Sequence, residues 1–386
     1  MENTGKQKVI EFSILNVIGI RLVNPSDADV KMLRKSFEII PQKLSVEPDI
    51  IITFVKELKL SGLTHIGLNT AAYSREGFYI LSNGKEDVKV KVPIVDIGRS
   101  RLNILCESGL PDIPALNYIF NFTLVGKDLL PLHATAFRYN NIGAAVMGWS
   151  KSGKTESLFA FMNHGAEFVS DEVAVVSPDG KEVLGMKVPI CIWEWQFKEI
   201  PSFMPKITLQ KKLIMKTIHA VKAFNKAFKI GIINKALPVI DTQLSIKVLP
   251  AKIFRPDRII SKMNLDVIIL AMAHDSNEIV VESISANEVI DRMINSQEYE
   301  LDYFFRYYKM FKYAFPYHLN EFLENIKSVQ YALMRKLLED KKAYVVKHPY
   351  PVSFEDLFKK MEPIFTSNGF KKSIEEIKDQ EKLEVE

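Results

Sequence analysis

Eight consecutive residues combine glycines, lysines and hydroxyls at a spacing that is typical of phosphate binding. They read Gly148-Trp149-Ser150-Lys151-Ser152-Gly153-Lys154-Thr155, which fits the pattern Gly-x-x-x-x-Gly-Lys-Ser/Thr. Glycines let the backbone curl so that N–H groups point at phosphate oxygens, and a helix that follows adds its positive N-terminal end. We expect Lys154 to bridge the β- and γ-phosphates and Thr155 to bind Mg²⁺, with Glu156 in the same nucleotide site. The sequence thus predicts binding of ATP, or alternatively GTP, together with Mg²⁺.

A hairpin that leads into this loop brings a histidine to it. Leu132–Tyr139 and Ile142–Met147 are rich in residues typical of strands, and Asn140-Asn141 between them suits a two-residue turn. In that hairpin residue 139 pairs with residue 142, so the numbers of paired residues sum to 281. His133 is therefore expected to lie across from Gly148, at the start of the loop.

The next expected strand, Ala166–Val176, carries two adjacent carboxylates, Asp171 and Glu172. Phosphoryl transfer to a hydroxyl needs a base that accepts the hydroxyl proton and cations that offset the developing charge. Asp171 is the candidate base, an imidazole at His133 would orient it or tune its pKa, and Glu172 is a candidate catalytic residue that would share the metal with Thr155. Neighbouring residues of an unbroken strand point to opposite faces, so both carboxylates reach one phosphate only if the strand bends.

These three elements together resemble the HPr kinase/phosphorylase family, whose core is similar to that of phosphoenolpyruvate carboxykinases. The family has a strand histidine before a small residue, a phosphate loop that ends Gly-Lys-Ser/Thr-Glu, and a glycine followed by an apolar pair and an acidic pair. The matching segments are Leu132-His133-Ala134, Gly153-Lys154-Thr155-Glu156 and Gly165-Ala166-Glu167-Phe168-Val169-Ser170-Asp171-Glu172. Their order and spacing agree with the family.

The resemblance implies that Asp171 acts as general base with support from His133, while Lys154 and Thr155 hold the nucleotide and metal. It covers about residues 130–175. The second family carboxylate is usually Asp and is Glu172 here, and the glycine-rich signature that follows in HPr kinases is absent. We therefore expect a divergent relative with the same chemistry and a different acceptor, rather than an HPr kinase.

The expected function is an ATP-dependent, Mg²⁺-requiring kinase whose acceptor is a hydroxyl, foremost serine in a peptide, in a protein or in free form. The alternative is a nucleotide-gated binding or scaffold protein that hydrolyses nucleotide slowly and has no acceptor. A carboxykinase-like reaction is less favoured, because the sequence places no second metal-binding histidine or lysine near the loop.

The pattern of strands and helices predicts a mixed α/β chain in three parts. Residues 1–125 form a smaller N-terminal α/β domain, with a boundary near Gly126. Residues 126–290 form the P-loop catalytic core with a lysine-rich insertion at 200–240, and the resemblance implies a phosphoenolpyruvate carboxykinase-like core on a mixed sheet. Residues 291–386 form a helical region with one returning strand, at Ala343–Val346.

The insertion has no acidic residue from Ile200 to Ile240, and its lysines lie among helix-forming apolar residues. A solvated helical face explains it best. An attraction to an acidic peptide, a phosphorylated substrate or a membrane surface, or a lid over the site, are the alternatives. Further candidates are the phosphate contacts Lys252, Arg255 and Arg258, and a tryptophan pair, Trp193 and Trp195, expected on one face of a strand.

Composition limits the other classes of function. The 386 residues carry a net charge of +4, too small to indicate a nucleic-acid partner. The two cysteines form no Cys-x-x-Cys or Cys/His cluster, which argues against a disulfide framework and a zinc site. No apolar run approaches the roughly 18 residues of a membrane span. A cytoplasmic location is expected, and a homo-oligomer is compatible with the sequence.

Overall fold

The computed structural model describes residues 7–37, 39–98, 101–200, 207–229, 231, 236–237 and 240–366. The expected fraying of the tail after Gly369, and the lysines at 206 and 235, lie outside these residues. As the sequence predicts, the chain is a mixed α/β protein in which strands of several sheets alternate with helices.

The first sheet has eight strands, all from residues 9–107. They are β1 Val9–Ile14, β2 Ile18–Val23, β3 Ile50–Val55, β4 Thr64–Ile66, β5 Ala71–Ser74, β6 Gly77–Ser82, β7 Asp87–Lys91 and β8 Leu102–Glu107. Their order is β1-β2-β3-β8-β7-β6-β5-β4, with parallel pairing from β2 through β3 to β8 and antiparallel pairing elsewhere. Two helices follow strands of this sheet, α1 at Asp27–Leu33 and α2 at Leu116–Val125.

Twelve further strands form three smaller sheets. They are β9 Leu130–Leu132, β10 Ala134–Tyr139, β11 Ile142–Met147, β12 Glu167–Ser170, β13 Ala174–Val176, β14 Glu182–Gly185, β15 Ile190–Trp193, β16 Ser245–Val248, β17 Lys262–Asn264, β18 Val267–His274, β19 Val280–Ile284 and β20 Lys342–Pro349. The central sheet has the order β12-β10-β11-β18-β20-β19, beside a four-stranded sheet β17-β14-β13-β9 and the pair β15-β16. In the central sheet β11, β18 and β20 are parallel.

The hairpin of β10 and β11 has the register that the sequence predicts. Ala134 pairs with Met147 and Tyr139 with Ile142, so paired numbers sum to 281. Asn140 and Asn141 have φ values of 49° and 64°, the left-handed conformation that a two-residue turn of this kind requires. The expected position of His133 across from the start of the phosphate loop is therefore confirmed.

Two expected strands are each broken where the chain passes between sheets. Leu132–Tyr139 was expected as one strand, but β9 belongs to the four-stranded sheet and β10 to the central sheet, with His133 between them. Ala166–Val176 is likewise divided into β12 and β13. Strand β10 pairs with β12, and β9 pairs with β13. The two chain segments therefore pass from one sheet to the other next to each other.

Further helices in the described residues are α3 Lys154–Asn163, α4 Leu209–Phe228, α5 Ala286–Ala314, α6 Glu321–Glu324, α7 Ile326–Leu338 and α8 Phe354–Met361. Helix α5 starts after Ser285, whose hydroxyl accepts a hydrogen bond from the Glu288 backbone N–H. The expected boundary between residues 290 and 291 is wrong, because it lies inside this helix. One buried face continues through Val289, Ile290 and Met293, so the helix cannot be divided there.

Two hydrophobic clusters cover the two faces of the central sheet. Helices α3 and α8 pack on one face through Phe159, Phe161 and Phe358. Helices α5 and α7 pack on the other face, in a cluster that continues into the eight-stranded sheet. The strands of the eight-stranded sheet precede Gly126, where the sequence places a domain boundary, and the strands of the other sheets follow it. One hydrophobic cluster nevertheless contains residues from both sides of this position.

Candidate functional site

The phosphate loop joins the end of β11 to the start of α3, at the carboxyl end of three parallel strands. Ligands of open α/β sheets bind at this edge. Gly148 and Gly153 have φ values of 148° and 105°, and a Cβ at Gly153 would lie 1.8 Å from Nε2 of His348. Only glycine fits that position, because both the backbone conformation and the space exclude a side chain.

Lys154 and Thr155, at the start of α3, point into the loop and toward the carboxylates. The Lys154 ammonium is buried and donates hydrogen bonds to the carbonyl oxygens of Gly148, at 3.0 Å, and Trp149, at 2.9 Å. Burial lowers its pKa. The Thr155 hydroxyl lies 3.2 Å from Oδ1 of Asp171, to which it donates a hydrogen bond. Thr155 is thus in direct contact with the candidate base, while Lys154 is held by the loop carbonyls.

Asp171 lies directly after β12 and is only 2% exposed. Burial and the nearby charge of Glu172 raise the pKa of Asp171 to about 7, against the hydrogen bond from Thr155, which lowers it. A carboxylate with a pKa near neutrality exchanges a proton readily at physiological pH. Among the candidate residues, Asp171 therefore has the acidity that proton transfer requires.

Glu172 follows Asp171 in the crossing from β12 to β13, with a φ of 70°. This left-handed conformation is uncommon for a residue with a side chain, and it breaks the alternation of an extended strand. Oε2 of Glu172 consequently lies 3.3 Å from Nε2 of His133, on the side of the site. In an unbroken strand, Asp171 and Glu172 would point to opposite faces. Strand β12 ends at Ser170, so this restriction does not apply to them.

His133 lies between two carboxylates. Its Nε2 faces Glu172, and its Nδ1 contacts Glu300 of helix α5. Burial lowers the pKa of His133, but the hydrogen bonds to the two glutamates outweigh burial and raise the pKa to about 9. His133 is therefore an imidazolium at neutral pH, and the hydrogen bond from it lowers the pKa of Glu172. The imidazole of His133 contacts Glu172 and not Asp171, so an influence of His133 on Asp171 would pass through Glu172.

Glu156 lies in the first turn of α3 and is buried. Burial raises its pKa, and its Oε1 accepts a hydrogen bond of 2.9 Å from the Gln196 side chain. His348, at the end of β20, lies with Nε2 2.8 Å from the carbonyl oxygen of Ser152. His348 thus contacts the loop directly, while Glu156 contacts Gln196.

Sequence reasoning missed Glu300, His348 and Gln196. Glu300 is 167 positions from His133, and His348 is 196 positions from Ser152. None of the three stands in a recognisable motif. The sequence contained one signal, which is that His348 follows the expected strand Ala343–Val346. Because the carboxyl ends of parallel strands meet at one edge of a sheet, a residue at that position can lie near the loop.

The exposed residues of the loop contact two different elements. The Trp149 ring lies 4.9 Å from the ring of Tyr299 on α5, and the Lys151 ammonium lies 5.4 Å from the ring of Trp193. Ser150 is exposed between them. Trp193 ends β15, and Trp195 belongs to the 3₁₀ helix that follows, so the expectation that the two tryptophans share a strand face is wrong.

The basic candidates outside the loop are placed elsewhere. The Arg258 guanidinium donates to the carbonyl oxygen of Gly165, beyond the carboxyl end of α3 and thus opposite the phosphate loop. Arg255 pairs with Asp257 on the surface. Neither arginine is a phosphate contact, because both contact groups remote from the loop. In the lysine-rich segment, Lys216 and Lys226 of α4 are exposed to solvent, while its other three lysines are half-buried.

The residues present fit a nucleotide with Mg²⁺. The buried Ser152 hydroxyl has no hydrogen-bond partner within the described part of the chain, which is costly unless a ligand supplies one. No group of three or more His, Cys, Asp or Glu side chains in the described residues is arranged to hold a metal alone. Mg²⁺ bound with a nucleotide needs only one or two protein ligands, because phosphates and waters complete its shell. The Thr155 hydroxyl would be one such ligand, and Glu172 is the carboxylate that would share the metal with it.

Comparison of the chain with known protein families and with curated proteins finds no match. No helix within the described ranges is long and apolar enough to cross a membrane.

Proposed function

We propose that the chain is an ATP-dependent kinase that transfers the γ-phosphate to a hydroxyl, foremost that of serine in a peptide, in a protein or in free form. The observation that carries the proposal is the contact between the Thr155 hydroxyl and Asp171, a carboxylate whose pKa is about 7. A base of this acidity beside the metal-binding hydroxyl of a phosphate loop suits phosphoryl transfer better than phosphate binding alone.

In this proposal the loop and Lys154 would hold the β- and γ-phosphates, while Thr155, with Glu172, would hold Mg²⁺. The metal, when bound, offsets the charge that develops on the phosphate oxygens. Asp171 accepts the proton of the acceptor hydroxyl as the acceptor oxygen bonds to the γ-phosphorus. The bond to the β-phosphate oxygen breaks, and ADP is the leaving group. Lys154 requires only a rotation away from the two loop carbonyls to reach the phosphates.

His133 has a positioning role in the same proposal. Its imidazolium keeps Glu172 ionised and beside the loop, and Glu300 fixes the other face of the ring. Ionised Glu172 in turn helps to raise the pKa of Asp171. His133 thus acts on the base through an intervening carboxylate.

The arrangement also supports the finer inferences from sequence resemblance. We infer a phosphoenolpyruvate carboxykinase-like P-loop core and a divergent relative of HPr kinase/phosphorylase. The support is the common placement of a histidine, a phosphate loop and an acidic pair at one edge of a mixed central sheet. A cytoplasmic location belongs to the same proposal.

The test is transfer of label from γ-labelled ATP to candidate acceptors by the intact protein and by Asp171→Asn. General base catalysis contributes about 10²- to 10⁴-fold, so we expect kcat to fall by that range while the KM for ATP changes little. Asp275→Asn, an exposed aspartate outside the site, is the matched control. Transfer by Asp171→Asn at the native rate would refute the base assignment. A larger loss in Glu172→Gln would assign the base to Glu172 instead.

The alternative function is a nucleotide-gated binding or scaffold protein with slow NTPase activity. One observation favours it: Asp171 is only 2% exposed, which leaves a narrow approach for an acceptor. Tight ATP binding and slow hydrolysis, with no label on any peptide, protein or free serine, would support this alternative over the kinase.

A further inference from the structure

We propose that helix α4 binds the protein to an anionic membrane surface. The helix axis lies in the plane of the lipid headgroups, and the outward face of the helix contacts the first carbons of the acyl chains. Helix α4 carries none of the candidate catalytic residues, so this surface is a function in addition to the proposed kinase activity.

The inner face of α4 is defined by three buried side chains. Met215, Ile218 and Asn225 are buried, and Met215 belongs to the hydrophobic cluster in which α3 and α8 pack on the central sheet. At 3.6 residues per turn these three side chains lie within about 80° of one another around the helix axis. On the same side, Lys222 forms an ion pair of 2.8 Å with Asp241. One face of α4 is therefore fixed to the rest of the protein.

The outward face of α4 is apolar. Leu209, Leu213, Phe224 and Phe228 are between 51% and 84% exposed. Their positions in the sequence place them within about 100° of one another around the helix axis, in a stripe about 28 Å long. The rings of Phe224 and Phe228 lie 4.5 Å apart within it. We call these four side chains the apolar stripe.

This orientation is the reverse of the usual one. A helix on the surface of a protein normally turns its apolar face to the core and its charged face to water. The sequence predicts a solvated face of lysines here, but the face that α4 turns to water carries leucine and phenylalanine. Contiguous apolar side chains on a surface mark a site of contact with another protein or with lipid.

The charge of α4 favours an anionic lipid surface as the partner. The helix contains five lysines and no Asp or Glu. Lys216, Lys226 and Lys229 are exposed and form no ion pair with other residues that the structure describes. A lysine beside an apolar surface can lay its methylene groups on that surface and hold its ammonium among headgroups. A helix with lysines, exposed Leu and Phe and no acidic residue is typical of helices that lie in a membrane interface.

The expected preference for anionic lipid follows from the three exposed lysines. Each lysine close to an anionic surface strengthens binding about fivefold, and salt weakens this attraction. Three lysines together predict binding about 100-fold tighter to an anionic surface than to a neutral one. The apolar stripe adds a contribution that does not depend on the charge of the lipid.

The first experiment is cosedimentation of the intact protein with vesicles. One set contains phosphatidylcholine alone, and the other contains phosphatidylcholine with about 30% phosphatidylglycerol. We expect at least tenfold tighter binding to the anionic vesicles, and weaker binding as NaCl is added. Equal binding to both sets, or binding to neither, would overturn the proposal.

The second experiment places a charge in the apolar stripe with Leu213→Glu. Leu68→Glu is the matched control, because Leu68 is an exposed leucine in the turn between β4 and β5. We expect Leu213→Glu to weaken binding to the anionic vesicles at least tenfold and Leu68→Glu to change it less than twofold. Both leucines are exposed, so the midpoint temperatures of thermal unfolding should remain close to that of the native protein. Native binding by Leu213→Glu would overturn the proposal.

The third experiment removes positive charge from α4 with the double change Lys216→Gln and Lys226→Gln. We expect at least tenfold weaker binding to the anionic vesicles and little change on the neutral ones. The control is the double change Lys56→Gln and Lys59→Gln, at exposed lysines that follow strand β3. An equal loss in the control would show that net charge drives binding without α4, and this result would overturn the proposal.

A protein partner at the same face would give a different result. A dimer in sedimentation velocity that Leu213→Glu dissociates, together with no binding to either set of vesicles, would assign the apolar stripe to self-association and overturn the proposal. Transfer of label from ATP is measured without vesicles. Failure of the kinase proposal is therefore distinguishable from failure of membrane binding.

Discussion

Replacing Glu300 with glutamine tests whether the charge of His133 depends on its two carboxylate neighbours. Burial opposes the charge, but hydrogen bonds to Glu172 and Glu300 raise the pKa of His133 from 6.5 to about 9. Glutamine keeps nearly the same shape and removes one of the two negative charges. We expect the pKa of His133 to fall by about one or more, because an opposite charge within hydrogen-bond distance favours the charged form of a group.

The pH at which stability changes follows from the direction of this pKa shift. A group whose pKa is raised by folding stabilises the protein fully below its unfolded pKa, here about 6.5. That contribution is lost as pH rises through the folded value of about 9. A fall of one in pKa corresponds to about 1.4 kcal/mol. The Glu300 side chain is 34% exposed, so solvent screens its charge. We therefore expect the loss of unfolding free energy at pH 7 to be no larger than about 1.4 kcal/mol.

Urea unfolding of both proteins at pH 7 and at pH 10, in metal-free buffer, measures the effect. At pH 10 His133 is neutral with or without Glu300, so the difference in unfolding free energy should largely vanish. Titration of the imidazole proton signals by NMR gives the pKa directly. Glu298→Gln is the matched control, because Glu298 lies on the same helix and pairs with Lys327 at the surface. An equal loss at both pH values, or an unchanged pKa of His133, would refute the reasoning.

Three further changes have distinct expected outcomes. Gly153→Ala should weaken ATP binding and, in a denaturation assay, lower the unfolding free energy by about 3 kcal/mol or more, because its Cβ would meet the His348 ring. Gly84→Ala is the control: Gly84 has a positive φ but open space around it, so the change should cost only about 1 kcal/mol in the same assay. Asp29→Asn should cost about 2 kcal/mol at pH 7, because its buried carboxylate accepts four charge-assisted hydrogen bonds. Those hydrogen bonds outweigh burial and lower the pKa of Asp29 below 3.8, so the loss should fade in acid unfolding only as pH falls through that lowered value. Asn320→Ala should lower the midpoint temperature of thermal unfolding, with about 2 kcal/mol of unfolding free energy lost at that temperature, because the Asn320 amide donates to three backbone carbonyls of the N-terminal part. An unchanged midpoint would show that these hydrogen bonds do not stabilise the fold.

Local chemistry made the phosphate loop and the hairpin predictable. The loop pattern lies within eight residues, and its glycines are required by backbone conformations that neighbouring atoms impose. The register of β10 and β11 follows from the Asn140-Asn141 turn, which determines every pair in the hairpin. His133 was therefore found from the sequence, although its partners were not.

The broken strand at Asp171 and Glu172 could not be predicted in the same way. Residues 166–176 are typical of one strand, and nothing in their pattern indicates the positive φ at Glu172. The break exists because the chain leaves the central sheet for the four-stranded sheet at this position. A crossing between sheets depends on which strands pair, and those partners lie far away in sequence.

Three features could be predicted from the sequence. They are the phosphate loop, the hairpin register that brings His133 to it, and the carboxylates Asp171 and Glu172 on the next strand. Each depends on turns, alternation and steric limits that act over a few residues. Only tertiary packing brings Glu300 into contact with His133 and His348 into contact with the loop. These contacts arise because α5 and β20 bury their apolar faces against the same sheet, and burial of apolar surface has no preferred sequence distance.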